Sequence, residues 1–448
     1  MQDRETTSLS QAPQPRWAWL GLLALTHFLM MADRNLPVLV LPVLQRQFAL
    51  SDTRLGLLQG PAFVLFYVVA TLGAGRIVDR LPRFVLLAAS VVLWSAASIG
   101  FGLARNWTEL VACRLLLGLF QALVAPTALS LIAERAPSAD VGRFVSIFTT
   151  GSALGRSGAL LVGGLLLAWS ASPTARALLP GVETWRILFF LSTLPNLLVA
   201  LGLFVLGGER EAQSGGLHRP SMRPALAWFR AWPVAFACHL LASGCVIVLV
   251  QAVAAWTPTL LQRELGLSAA RSGLVAGMIV VVGAPLGHLG GGALMDICRR
   301  VGLPPRLVLI AALAFCVIGA ALLCVSASLV ACGVGLFLLT VFGGMAGVST
   351  LTAFQMMSPS AHGAANAIFF ATITLMGLGL GPPVIGMLSD RVFGPHALGQ
   401  ALFCTVVAMA VSAAVLAVGS RGAYARAIQA AEAARRPTLP GETPMHHG

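Results

Sequence analysis

Twelve apolar runs of about 20 or more residues divide this chain, each long enough to cross a hydrocarbon core ~30 Å thick. They fall roughly at 17–44, 54–79, 83–104, 108–133, 141–169, 184–207, 231–261, 270–298, 304–326, 329–357, 363–388 and 396–419. A backbone in lipid must satisfy its own N–H and C=O groups, so runs of this length are read as helices. Only 10% of the 448 residues are charged and 57% are hydrophobic, whereas soluble domains carry about 25% charged residues. The first run is too long for a signal-peptide core and lacks a small-residue cleavage site, so it is read as a membrane helix.

Residues 44–60, LQRQFALSDTRLGLLQG, return 217 positions later as 261–277, LQRELGLSAARSGLVAG, with nine of seventeen positions identical. A repeat at half the chain length predicts an all-α membrane protein of twelve transmembrane helices in two pseudo-symmetric six-helix halves. That layout suits a carrier, because two halves rocking about a central site give alternating access. The expected organisation is a cytoplasmic tail at 1–16, an N-terminal six-helix bundle at 17–207 and a cytoplasmic linker at 208–230. A C-terminal six-helix bundle at 231–419 and a cytoplasmic tail at 420–448 complete it. Within that tail, Tyr424 to Arg436 has helical spacing of Ala, Ile and Arg, but its weak amphipathicity favours a solvated tail over a surface helix.

All 29 basic residues are Arg, and the formal net charge is +13. With both termini cytoplasmic, the inside segments hold 18 Arg and the outside loops 8. That asymmetry is the positive-inside pattern, so the excess charge reports orientation in a cell inner membrane rather than a nucleic-acid partner. The eight Cys lie in or beside the spans without CxxC or Cys/His spacing, so no disulfide frame, metal or cofactor is expected. No Ser/His or paired-Asp catalytic spacing and no phosphate-cradling loop favours an enzyme. A monomer is expected, with membrane lipids, a small-molecule or lipid substrate and protons as its partners.

A second pair of motifs obeys the same offset. Gly75-Arg76-Ile77-Val78-Asp79-Arg80 ends the second span and Gly292 to Asp296 the eighth, with Arg83 after the first and Arg299 and Arg300 after the second. Glycine admits a neighbouring helix, while Asp caps a helix or pairs with Arg across an interface. Gly75, Asp79, Arg80, Arg83, Asp296 and Arg299 are therefore read as a conformational gate.

The loop GRIVDRLPR at 75–83 resembles the signature of the major facilitator superfamily, with Pro82 where Gly is usual. More narrowly, Asp33-Arg34, LSDTRLGLLQGPAFVLFY at 50–67, LWSAAS at 93–98 and GLGLGPPVIGMLSD at 377–390 resemble the Spinster-like branch, which includes bacterial members. The resemblance implies the major facilitator fold and alternating access. Eukaryotic members of that branch move sphingosine phosphate or lysophospholipids, some by an inferred proton-coupled mechanism, so an anionic or amphiphilic substrate is implied here. The branch usually has Glu where this chain has Gln121, seven residues after the span 4 Arg, so a second carboxylate is missing.

Ionisable groups deep in a bilayer cost several kcal/mol and are functional candidates by default. They are His27, Asp33 and Arg34 in span 1, Arg114 in span 4, Arg156 in span 5, His239 in span 7 and His288 in span 8. At ~1.5 Å of rise per residue, Asp33, Arg114 and Arg156 reach similar heights, which makes an Asp33–Arg114 pair geometrically reasonable. Asp33 is the candidate proton switch, its Arg partner contested by substrate; the alternative is a permanent structural ion pair. His27 is the second proton-coupling candidate, although packing is the commoner role for such a histidine, and His239 and His288 carry less weight. Gln121 can hydrogen-bond substrate but cannot carry a proton.

Arg34, Arg114 and Arg156 against Asp33 leave a central charge of +2, which favours an anion gripped by guanidinium groups. Phe66, Tyr67, Trp256 and Phe370 are candidates for an apolar wall opposite them. Under the 217-residue offset Asp33 and Arg34 fall on Val250 and Gln251, so the first half holds the charges. The expected function is secondary transport of an anionic or amphiphilic organic molecule, lysophospholipid- or sphingolipid-like. Its rival is a proton-coupled carrier of small organic acids or drug-like compounds.

Overall fold

In both copies of the internal repeat, one helix stops and the next starts. The computed structural model describes residues 16–78, 80–137, 140–207, 222–325, 328–358, 362–394 and 396–435. Helix Leu41–Phe48 stops at Ala49, whose φ of 48° is left-handed, and Ser51 caps Asp52–Gln59 by accepting from the Arg54 amide at 3.3 Å. In the second copy Pro233–Glu264 is followed by Gly266 at φ 63°, and Ser268 caps Ala269–Arg300 by accepting from the Arg271 amide at 3.3 Å. The matched Ser and Arg are thus two copies of one turn, with a left-handed residue to end a helix and a hydroxyl to start another.

Eleven helices among the described residues are long and apolar enough to cross a membrane. A twelfth crossing, the first in the chain, is formed by Trp17–Leu39 and Leu41–Phe48, bent by 53°. Numbered after it as spans 2–12 are Asp52–Thr71, Arg83–Leu103, Trp107–Arg135, Val141–Ser170, Thr184–Leu206, Pro233–Glu264, Ala269–Arg300, Arg306–Val325, Leu329–Met357, Ala365–Phe393 and Leu398–Gly419. No strand occurs among the described residues.

Spans 1–6 pack on one another and spans 7–12 do likewise, and the two sets meet chiefly where span 2 crosses span 11 and span 5 crosses span 8. Small residues set both seams. A Cβ on Gly60 would lie 1.9 Å from the Leu378 carbonyl oxygen, and one on Gly277 would lie 2.6 Å from Leu161 Cγ. Helices in lipid approach this closely only where side chains are missing.

Polar contacts latch the sets together at one end. Arg263 donates to the Asp52 carboxylate at 2.5 and 2.8 Å, and the Ser389 hydroxyl donates to it at 2.6 Å. Asp390 accepts from the backbone amides of Asp52 and Thr53 at 3.0 and 2.7 Å, and Gln262 donates to the Leu39 carbonyl at 3.0 Å. At the opposite end two charged pairs among the described residues each lie within one set. Arg83 binds Glu134, and Arg299 pairs with Asp296 at 3.2 Å with both side chains largely exposed. Of the expected gate residues, Arg83 binds Glu134 in its own half, Asp296 and Arg299 pair with each other, Arg80 is exposed and Gly75 is half-buried. Asp79 lies outside the described residues.

The expected solvated tail is corrected over its first half. Arg421–Arg435 is a helix that buries Ala427 and Ala431 completely, and its Tyr424 hydroxyl donates to the Ala353 carbonyl at 3.2 Å. Alanines four apart form an apolar stripe too narrow to dominate the periodicity but sufficient to dock. Residues 1–15, 208–221 and 436–448, in the expected tails and linker, lie outside the described residues, while Met222–Ala231 is helical.

Candidate functional site

Two adjoining chambers lie between the halves. The first is lined by Arg34, Arg114 and Arg156 together with Asn35, Gln59 and Gln251. The second is walled mainly by aliphatic residues of spans 5, 7, 8 and 10, with Thr257, Thr340 and His288 as its polar additions. Asn35, Val38, Arg156 and Ala254 line both, so a cationic chamber opens directly onto an apolar one.

The three arginines are not equivalent. Arg114 is only 2% exposed, and its Nε, Nη1 and Nη2 donate to the carbonyls of Leu58, Arg34 and Gln59 at 3.2, 3.1 and 3.2 Å. Span 1 changes to a 3-10 turn after Asn35 and span 2 is interrupted at Gly60, so these carbonyls come from helix ends, which lack intrahelical partners. Arg114 thus fastens two helix breaks. Arg34 lies 4.2 Å above the Phe63 ring and 5.4 Å from that of Tyr67, a cation–π placement that leaves its N–H groups available. Arg156 is half-buried and, among the described residues, has neither a hydrogen-bond nor an ion-pair partner.

Asp33 stands elsewhere. It is 3% exposed, and one of its oxygens accepts from Trp94 Nε1 of span 3 at 3.0 Å and from Asn196 Nδ2 of span 6 at 2.6 Å. The expected Asp33–Arg114 pair does not form. Successive helix residues diverge by ~100°, so Arg34 faces the cavity while Asp33 faces the outer helices of its own half. The cavity consequently holds three guanidinium groups with no carboxylate among its described lining.

Several other candidates tie helices together. The Phe148 carbonyl accepts from His27 Nδ1 at 3.0 Å and the His27 ring stacks on that of Phe148 at 4.3 Å, tying span 1 to span 5. Gln121 donates to the Met30 carbonyl at 3.1 Å, tying span 4 to span 1, and Trp256 donates to the Pro382 carbonyl at 2.9 Å, tying span 7 to span 11. Phe66 and Phe370 are exposed but line neither chamber, and Tyr67 reaches the site only as a platform for Arg34.

Asn35, Gln59 and Gln251 join the site without having been anticipated there, and His288, a candidate of lesser weight, joins it as well. Gln251 had a signal: it lies 217 residues after Arg34, and the pseudo-symmetry brings both to one wall. Trp94 and Asn196 had a weaker one, as polar side chains in the interior of apolar spans.

A family profile described as Major Facilitator Superfamily matches residues 23–382. An MFS-type efflux pump of Mycolicibacterium smegmatis is 25% identical over 415 residues, covering 90% of this chain and 92% of the pump. A probable 4-methylmuconolactone transporter of Cupriavidus pinatubonensis is 26% identical over 419 residues, 91% of this chain and 90% of that protein. In fold, the chain is similar to a crystal structure of a bacterial homolog of the human lysosomal transporter Spinster, inward-facing and unoccupied. The TM-score is 0.77 at 22% sequence identity, over 96% of this chain and 100% of that one.

Proposed function

The chain belongs to the Major Facilitator Superfamily and is a multi-pass secondary transporter, and we propose that its cargo is an anionic amphiphile of the lysophospholipid or sphingolipid kind. The observation that carries this reading is the junction of the two chambers at Arg156. Arg34 and Arg156 offer unengaged guanidinium donors, which suit a phosphate or carboxylate head. The adjoining aliphatic chamber suits the chain of the same molecule.

The reading extends to orientation and cycle. With the Arg-rich loops cytoplasmic, both termini lie inside a cell inner membrane, the Asp52–Arg263 latch closes the outer face, and the protein is in its inward-open state. The bundles 17–207 and 231–419 then rock as units, as a monomer, around the cavity. Proton coupling through Asp33 would be indirect: protonation would alter its bonds to Trp94 and Asn196 and so the packing of span 1 on spans 3 and 6.

A second reading, transport of small organic acids or drug-like compounds, is favoured by the two relatives, one an efflux pump and the other a probable transporter of 4-methylmuconolactone. Counterflow in proteoliposomes separates the two. Exchange of 1-oleoyl-lysophosphatidylglycerol is expected to exceed that of benzoate and to be lost in Arg156→Ala. Benzoate exchange without lysolipid exchange would replace the first reading by the second. Accumulation driven by a pH gradient that survives in Asp33→Asn would remove Asp33 from the coupling.

A further inference from the structure

His288 enters the apolar chamber from the interior of span 8. Its Nδ1 lies 2.7 Å from the carbonyl oxygen of Ala284, one turn earlier in the same helix. A carbonyl only accepts, so in the neutral ring Nδ1 carries the hydrogen and Nε2 keeps a lone pair. Nε2 has no protein partner among the described residues. The ring lies against span 10 at Gly344.

The groups facing this imidazole are few. Span 5 contributes Arg156, and span 1 contributes Asn35 and Val38, with Arg34 in the adjoining chamber. Span 7 offers Thr257 and span 10 Thr340, and Leu329–Met357 contains no Asp, Glu, Arg or His. On its own helix the next charges are Asp296, Arg299 and Arg300, ~12 Å or more along the axis. His288 is therefore the one imidazole among the described chamber lining, which holds no carboxylate.

We propose that His288 contacts the substrate and takes up the proton that travels with it. Resting on the cavity reading above, the step is a protonation of Nε2 by water from the open face, converting an acceptor into a charged donor. The His288 side chain is exposed, and an imidazolium there shares the chamber with the guanidinium of Arg156. An anionic head between them attracts both charges, so proton and anion each strengthen the other's binding, reciprocally. This proton is bound inside the cavity, at a residue distinct from Asp33, whose proposed part is in the packing of span 1 on spans 3 and 6.

Two measurements on the purified full-length protein test this. In the first, diethyl pyrocarbonate, which attacks unprotonated imidazole, is applied across a pH series and modification is read residue by residue by mass spectrometry. His288 is expected to react, while His27 and His239, engaged by the carbonyls of Phe148 and Thr350, stay protected. In the second, the Kd of 1-oleoyl-lysophosphatidylglycerol is measured from about pH 8 to about pH 6. Wild type is expected to tighten as pH falls, by up to about tenfold per unit for one linked proton. His288→Gln should flatten the slope to less than about twofold in all, and Asp33→Asn should retain it.

A wild-type slope preserved in His288→Gln, or a His288 that the reagent never reaches, overturns the proposal. If wild type binds neither the lysolipid nor benzoate at any pH, the cargo reading above fails instead. The labelling pattern then decides His288 alone: pH-dependent modification supports it and protection sinks it.

Discussion

Arg263 donates to both carboxylate oxygens of Asp52, at 2.5 and 2.8 Å, and so ties the second copy of the internal repeat to the first. The 217-residue offset maps Arg263 onto Arg46 and Asp52 onto Ala269, so the symmetry-related contact has no carboxylate. The latch is one-sided. The Asp52 side chain is fully buried, and stranding such a charge costs about 3–5 kcal/mol. Arg263→Ala is therefore expected to shift the population away from this state by about two orders of magnitude or more. A cysteine placed at Ala270 in a cysteine-free background should become reactive to an impermeant maleimide added at the latched face. Reactivity equal to that of the parent would exclude the latch role.

The seam beneath the latch makes a harder demand. Alanine at Gly60 would put its Cβ 1.9 Å from a backbone oxygen of span 11, where no side chain can swing aside. Gly60→Ala should abolish closure at this end and lower counterflow by about tenfold or more at unchanged expression. Gly21→Ala is the control, because nothing lies within 4 Å of the added carbon. Equal transport by both variants would contradict the seam.

Ala49 is the only non-glycine residue among those described with positive φ, at 48°. A left-handed alanine is strained by roughly 1–2 kcal/mol, and the matching turn in the second copy uses Gly266. Ala49→Gly relieves the strain but loosens the unfolded chain, for a net gain of about 0.5–1 kcal/mol. Thermal unfolding should shift upward by about 1–2 °C, and a downward shift would refute the account.

The twelve crossings and the doubled frame were legible because they are periodic: apolar runs of membrane length and a fixed offset. What the three arginines do was not. Arg114, Arg34 and Arg156 look alike within apolar spans, and their roles depend on which backbone carbonyls are left unpaired nearby. The helix breaks after Asn35 and at Gly60 free the carbonyls that occupy Arg114, and they leave no periodic trace. The Asp33–Arg114 pair failed for a related reason: a shared height in the membrane allows the pair, but the ~100° turn between Arg34 and Asp33 aims the carboxylate at Trp94 and Asn196 instead. His27, Gln121 and Trp256 read as site residues because a polar atom deep in a bilayer is conspicuous. Each spends that atom on a carbonyl of a neighbouring helix.

Outside the membrane, Glu183 offers a pH test. Burial alone would raise its pKa, but hydrogen bonds from Gln47, Arg186 and Trp185 and the Arg186 charge outweigh burial and hold it below the ordinary value. A depressed carboxylate contributes stability above its unfolded pKa of ~4.3, and that stability disappears as pH falls through the folded value. Glu183→Gln should therefore melt lower than wild type at pH 7, and the two should converge in acid below about pH 4. The side chain is 46% exposed, so the difference should stay under about 1 kcal/mol. A gap that widens in acid would reverse the sign and discard the cluster as its source.

Arg114 and Arg156 should separate stability from affinity. Arg114→Ala removes three charge-assisted bonds to buried carbonyls, each worth about 1.5–3 kcal/mol, and leaves those oxygens unpaired at two helix breaks. Its main expected consequence is a lowered melting temperature and poor recovery from the membrane, with any binding loss following from misfolding. Arg156 is engaged by no described protein group, so Arg156→Ala leaves no acceptor stranded and should melt within about 1 °C of wild type. It should nonetheless weaken an anionic ligand by about ten- to a hundredfold, the loss of one guanidinium contact in a poorly hydrated cavity. Arg156→Lys keeps the charge without the planar fork and should recover only part of that loss. Melting curves and Kd values measured on the same preparations decide it. An Arg114→Ala protein that is stable but cannot bind, or an Arg156→Ala protein that binds normally, would exchange the roles assigned to the two residues.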